Sequence, residues 1–153
     1  MNGRIVVPVD GSDLALCGLH AAIDLAKAVD ASIEIAYVVD ITKAAAAAYG
    51  DPQYVAPCLV ALRDDGKRIL QTAFAEAANQ GVSAAIRLLE GNPAEAIVEL
   101  ARRPDVRWIV MASHGRSGLG RLLLGSVAEG VLRRSSVPVV VVPMPHRART
   151  SAA

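Results

Sequence analysis

Apolar residues along this chain follow two alternating rhythms. Short β-branched or aliphatic runs at Arg4 to Val9 (RIVVPV), Ile33 to Val39 (IEIAYVV), Val82 to Leu89, Val106 to Met111 and Val137 to Val142 (VPVVVV) read as strands. Between them the period lengthens to 3.6. Ala15, Leu19, Ala22, Ile23 and Ala26 predict a helix running to about Val29. Leu59, Leu62, Ile69, Leu70, Ala73, Phe74 and Ala77 outline a second, from about Pro57 to Gln80. Ile97 and Leu100 face inward on a third, and the fourth follows Gly125.

Polar punctuation supports these boundaries. Pro8 belongs at the end of its strand, because a central strand cannot lose a ladder donor. Ser12 and Asn92 are candidate N-caps, the latter with Pro93 in the first helical turn. Gly81 ends the second helix, and Gly66 within it weakens it by about 1 kcal/mol relative to alanine. Residues 40–56, with the alanines 44–48 and then Tyr49-Gly50-Asp51-Pro52, read as a long loop.

The order β-α-β-α-β-α-β-α-β predicts five strands and four helices. Right-handed crossovers turn that alternation into an open, doubly wound parallel α/β sheet, Rossmann-like in class. Such sheets bind ligands at the C-terminal ends of their strands, where the strand order reverses. The loops after the first and fourth strands, Asp10-Gly11-Ser12 and Ala112 to Gly115, line one crevice if those strands are neighbours.

Composition fits this class. The chain has 153 residues, 53% hydrophobic but only 3% aromatic, so its core is aliphatic, as doubly covered parallel strands require. One domain over residues 1–145 is expected, with a polar, disordered tail at 146–153. A net charge of +1 gives no electrostatic reason to expect nucleic acid or an anionic membrane. With no signal-like segment and no apolar run near the ~20 residues that span a bilayer, a cytoplasmic location is expected. Cys17 and Cys58 lie in predicted helices without a CxxC partner, which suits a reduced compartment.

The most informative stretch is Met111-Ala112-Ser113-His114-Gly115, then nine residues, then Gly125-Ser126. A strand ending in a small-residue loop that feeds a helix start is a phosphate-binding arrangement: the first N–H groups of a helix are unpaired and carry partial positive charge. Ser126 with Glu129 three residues on also fits a capping box, and Asp10 fits either a turn former or a functional carboxylate. Gly120 to Ser126 has P-loop spacing but lacks the lysine before serine, and no GxGxxG occurs. His114 reads as loop-orienting or solvent-facing. With His20 on a helix and His146 in the tail, no catalytic triad or metal cluster is assigned. Arg116 and Arg121 either reach a terminal phosphate or solvate their loop.

Taken together, Val7-Pro8-Val9-Asp10-Gly11-Ser12, Ser113-His114-Gly115-Arg116-Ser117-Gly118 and Leu124-Gly125-Ser126-Val127-Ala128 resemble the universal stress protein family, over Arg4 to Pro143. The ATP-binding branch of that family carries G-x2-G-x9-G-[S/T]. Here it aligns as Ala112-x2-Gly115-x9-Gly125-Ser126, with alanine in place of the first glycine.

The resemblance implies a HUP-type fold and bound ATP. The N–H groups of Gly115, Gly125, Ser126 and Val127 would hold the triphosphate in the loop that begins at Ala112, and the Ser126 hydroxyl would add a bond. Asp10 would sit by the ribose and phosphates, in hydrogen bonding or through Mg²⁺. Val38 would offer its backbone to adenine, and Pro8, Val9 and Met111 would line the base and ribose pocket. It also implies a homodimer in which the edge strands Val137–Val142 run antiparallel across a two-fold axis. The implied output is regulation of a stress response through nucleotide-dependent conformation, read by an unknown protein partner. A nucleotide-free interaction module, which Ala112 favours, and a slow ATPase stay open as alternatives, as does cAMP or another adenine ligand.

Overall fold

All strands pair in parallel, in the order β3-β2-β1-β4-β5. The computed structural model describes residues 3–49, 51–114 and 124–143; Gly50, Gly115, Arg116, Arg121 and the tail from 146 lie outside them. The elements are β1 (Arg4–Pro8), α1 (Asp13–Val29), β2 (Ser32–Asp40), α2 (Ile41–Ala47), α3 (Pro52–Asn79), β3 (Ala84–Gly91), α4 (Pro93–Ala101), β4 (Val106–Ala112), α5 (Ser126–Arg134) and β5 (Val139–Val142). β1 and β4 are neighbours, so the loops after them do share one crevice.

Two aliphatic layers hold the sheet. Ile5, Val7, Ile33, Ile35 and Val110 pack against Leu19 and Ile23 of α1 and Leu70 and Ala77 of α3. On the other face Val6, Ala36, Ile109 and Met111 meet Ile97 and Val98 of α4 and Ala128 and Val131 of α5. Alternation along each strand sorts the residues between the two faces. Among the described residues no helix is long and apolar enough to cross a membrane.

The described residues contain five helices rather than four, because the expected loop at 40–56 is largely helical. Asp40 caps α2, accepting at Oδ1 from the N–H groups of Thr42 at 3.0 Å and Lys43 at 3.3 Å. The alanines that follow are the strongest helix formers, so a capped run of them coils rather than wanders. Asp51 then caps α3, with Pro52 in the first turn. Pro57, expected near the start of that helix, lies inside it.

Gly66 has a packing role that outweighs its low propensity. A Cβ there would sit 2.5 Å from a ring carbon of buried Tyr37 and 2.9 Å from Leu88, so glycine lets α3 lie close on the sheet.

Far from the crevice, near the N-terminal ends of the strands, Glu34 is fully buried on the α4 face of β2. Its carboxylate accepts from Arg4 at 2.8 Å, Arg87 at 2.9 Å and Arg103 at 2.7 Å, while Asp105 also pairs with Arg103 at 3.1 Å. Burial pushes the Glu34 pKa up, but the hydrogen bonds from Arg4 and Arg87 and the charges of Arg103 and Arg87 outweigh it and hold it below the usual carboxylate value. A depressed carboxylate pKa stabilises the fold above the unfolded value, about 4.3, and that contribution is lost as pH falls through the folded value. Glu34→Gln should therefore lower stability at pH 7 by about 1–3 kcal/mol, below the usual cost of breaking a buried pair because the arginines are partly exposed and rehydrate. Urea titrations at pH 7 and pH 3.5 should show the gap between wild type and variant narrowing at the lower pH.

Candidate functional site

The chain leaves β1 and β4 toward opposite faces, and the space above their ends is a cavity of about 400 Å³. β1 ends in Pro8, Val9 and Asp10. Gly11 then turns with φ 80°, a conformation that suits glycine, and Ser12 starts α1. Asp10 Oδ1 accepts from the Ser12 amide at 3.0 Å and hydroxyl at 2.6 Å, and Ser12 Oγ in turn caps α1 by accepting from the Ala15 amide at 3.1 Å. One carboxylate thus fixes both the turn and the helix start.

The other wall is the end of β4 and the start of α5. Ser113 donates its amide to Val142 at 2.9 Å, and its carbonyl accepts from the Gly125 amide at 2.8 Å. The two ends of the glycine loop are therefore tied together at the sheet. Gly130 presses α5 on α4, where a Cβ would come 2.8 Å from that of Ala94. Gly125, with φ −63° and ψ 151°, is the N-cap residue, and no side chain caps α5. The amides of Ser126, Val127 and Ala128 are thus the first-turn donors without an intrahelical partner.

Pro8, Val9, Asp10, Val38, Met111, Ala112, Gly125, Ser126 and Val127 all line this cavity; Gly115 lies outside the described residues. Two expectations change. Gly125 already gives its amide to Ser113, so among 125–127 it is Ser126 and Val127 that keep theirs available. Ser126 is not a cap and forms no capping box: it is the first helical residue, and Glu129 pairs with Arg133 at 2.7 Å. Ala112 closes β4 in extended conformation and is not among the residues with positive φ, so alanine there strains nothing in the backbone.

The cavity also has lining that the sequence pattern missed. Asp40 and Lys43 come from the end of β2 and the start of α2, Leu62 from α3, and Pro93 and Ile97 from α4. The rule that strand C-termini build the site would have found Asp40; Leu62, already placed on the second helix, required knowing how that helix lies against the end of β2. Burial acts to raise the Asp40 pKa, but hydrogen bonds from Thr42 and Lys43 and the Lys43 charge together hold it below the usual carboxylate value. His114 also lines the cavity rather than facing solvent. Its Nδ1 is 3.0 Å from Ser113 Oγ, and its Nε2 is buried without a hydrogen-bond partner. Among the described residues, no three His, Cys, Asp or Glu side chains gather as a metal cage.

A doubly wound parallel sheet with a cavity at its switch point, floored by the amides of a helix start, defines a Rossmann-like domain whose site offers hydrogen-bond donors of the kind that suit an anion. The universal stress protein family model matches residues 1–143, and the chain belongs to that family. It is 38% identical to universal stress protein MJ0531 of Methanocaldococcus jannaschii, over 94% of this chain and 84% of that one. The solved structure of MJ0577 superposes with a TM-score of 0.83 at 26% identity, covering 95% of this chain and 99% of that one. A universal stress protein solved in complex with cAMP superposes with a TM-score of 0.67 at 29% identity, over 94% and 98% of the two chains.

Because the Ser126 side chain does not cap α5, Ser126→Ala should change the unfolding free energy from urea titration by less than about 0.5 kcal/mol, against about 1 kcal/mol for loss of a true cap. Asn92→Ala, which removes the bond to the Glu95 amide at 3.2 Å, is the matching positive control.

Proposed function

We infer that the cavity binds an adenine nucleotide, ATP with Mg²⁺, and that occupancy regulates the protein's output in a stress response. The observation that carries this is the set of open amides at Ser126, Val127 and Ala128, held at the β1–β4 switch point above a cavity of about 400 Å³. That volume lies in the usual range of small-molecule sites. The relative in complex with cAMP supports a nucleotide as the class of ligand.

The residues present fit the group. The α5 amides and the Ser126 hydroxyl would hold phosphate, with Gly115 and Ala112 in the same loop. Val38 would meet the base through its backbone, and Pro8, Val9 and Met111 would supply the apolar walls. Asp10 would contact the ribose or, together with the phosphates, Mg²⁺. Mg²⁺ would neutralise phosphate charge beside this carboxylate.

A ligand regulates only by favouring one conformation over another. The elements that close the cavity at either end, α2 and the start of α5, are the ones whose arrangement occupancy would bias. A partner protein would read that arrangement in the cytoplasm. The two-fold partner would add its β5 antiparallel to β5 of this chain, since that strand is a sheet edge with Val140 41% exposed.

Protein denatured directly after purification should release ATP, and calorimetric titration with Mg-ATP should give a measurable heat. Gly125→Val should abolish that heat at a cost of about 1 kcal/mol in stability, because valine accepts the extended backbone at 125 but is a poorer N-cap than glycine. An empty protein with no heat of binding would instead support the nucleotide-free interaction module. For the dimer, sedimentation should give twice the chain mass, and Val140→Lys, which places a charge on the exposed edge, should shift it toward the monomer.

A further inference from the structure

We propose that Asp40 and Lys43 read the base of the bound nucleotide and select a purine that carries a 6-amino group. This rests on the nucleotide reading of the cavity and extends it to a specificity that the glycine loop cannot supply. The amides at the start of α5 are uncharged donors that recognise phosphate whatever base is attached. The base must be read at the other end of the cavity.

Strand order locates that end. β2 is next but one to β4, so their C-terminal ends stand about 10 Å apart at the usual strand spacing. The cavity spans this distance, from Gly125 and Ser126 to Val38, Asp40 and Lys43. A nucleotide whose phosphate rests on α5 therefore directs its base toward β2.

The chemistry waiting there is an acceptor beside a donor. The Asp40 side chain is only 15% exposed. Its Oδ1 is taken by the Thr42 amide at 3.0 Å, the Thr42 hydroxyl at 2.6 Å and the Lys43 amide at 3.3 Å. Capping α2 needs only that oxygen. Oδ2 has Lys43 Nζ at 3.8 Å, an ion-pair distance beyond hydrogen-bond reach. A 6-amino purine offers an N–H donor next to a ring-nitrogen acceptor, matching Asp40 and Lys43 in turn. A 6-oxo purine places its oxygen against the carboxylate.

Of the two side chains, Asp40 sets the discrimination. It is only 15% exposed and held by three hydrogen bonds, whereas Lys43 is 79% exposed and can follow whatever ring is present. A site that leaves a buried polar group unpaired against the wrong ligand rejects it strongly. The Asp40 carboxylate stays ionised at neutral pH, because its hydrogen bonds outweigh its burial.

Asp40→Asn isolates this role. Asparagine caps a helix about as well as aspartate, and its carbonyl replaces Oδ1, while its amide turns the Oδ2 acceptor into a donor. Titration calorimetry would compare ATP with inosine triphosphate, its 6-oxo counterpart. Wild type should favour ATP about tenfold or more, and Asp40→Asn should shrink that ratio by about tenfold, with tighter binding of the inosine nucleotide. A ligand-side arm needs no variant: purine riboside triphosphate, which carries hydrogen at position 6, should bind wild type at least about fivefold more weakly than ATP.

Equal affinities in wild type, or a ratio unchanged in a folded Asp40→Asn, would overturn the proposal while leaving nucleotide binding intact. If the variant fails to fold, the purine riboside comparison decides. If wild type binds none of the three nucleotides, the reading of the cavity fails and the proposal fails with it.

Discussion

Two neighbouring parallel strands whose following helices depart to opposite faces must leave a gap above their ends, and β1 and β4 are that pair. α1 leaves β1 to cover one face, and α5 leaves β4 to cover the other. Everything at the site is arranged around this gap. The Asp10–Ser12 turn and the Ser113–Gly125 bond hold its two sides with short, local hydrogen bonds. The start of α5 is thereby anchored to the end of β4 by one backbone hydrogen bond, from Gly125 to Ser113. A donor array of this kind is useful only if it is held in place before the ligand arrives, since any ordering on binding subtracts from affinity.

Stability and recognition are divided between the two ends of the sheet. The N-terminal end buries Glu34 under three arginines, all of which pair with its carboxylate, and leaves one buried nitrogen, Arg4 Nε, with only the Asp105 charge at 3.3 Å. The C-terminal end keeps polar atoms open: the α5 amides, His114 Nε2, and an Asp40 oxygen met only by a distant lysine. Satisfied polar groups contribute specificity of fold, whereas open ones have a cost that only a ligand or water offsets. Stability mutations at the first end should therefore spare binding, and binding mutations at the second should spare the fold.

Much of the fold was legible because local signals agreed with the global pattern. β-branched runs, the caps at Ser12 and Asn92, and the placement of Pro8 each pointed to the same parallel alternation, and the structure has all of them. The misreadings share one physical origin, which is that a residue's role depends on a neighbour the sequence does not name. The alanines at 44–48 look featureless until Asp40 is seen to cap them. Gly66 looks like a flaw in a helix until Tyr37 is found beneath it. Ser126 followed by Glu129 matches a capping box in spacing, yet the helix starts one residue earlier in register, with Gly125 at the cap. For the same reason the site was legible at β1 and β4, where motifs mark it, and at β2 only through Val38, which the family resemblance supplied, while Asp40 and Lys43 emerged from topology alone.

Ala112 is where local and global readings meet. A glycine at that position is needed only if the backbone is left-handed or if a methyl group would block the ligand. The first condition is absent, since Ala112 ends β4 in extended conformation, in register with Val142. Strand alternation bears on the second. Val110 packs on the α1 face and Met111 on the α4–α5 face, so the Ala112 methyl leaves the sheet on the α1 side. The backbone of α1 comes close there, because a Cβ on Gly18 would lie 3.1 Å from the Ala112 amide nitrogen. The open amides of α5 approach from the opposite face. The methyl group thus borders the cavity along its α1 wall and does not stand over the first amides of α5, so under the nucleotide reading alanine at this position would alter the shape of the site more than its donors.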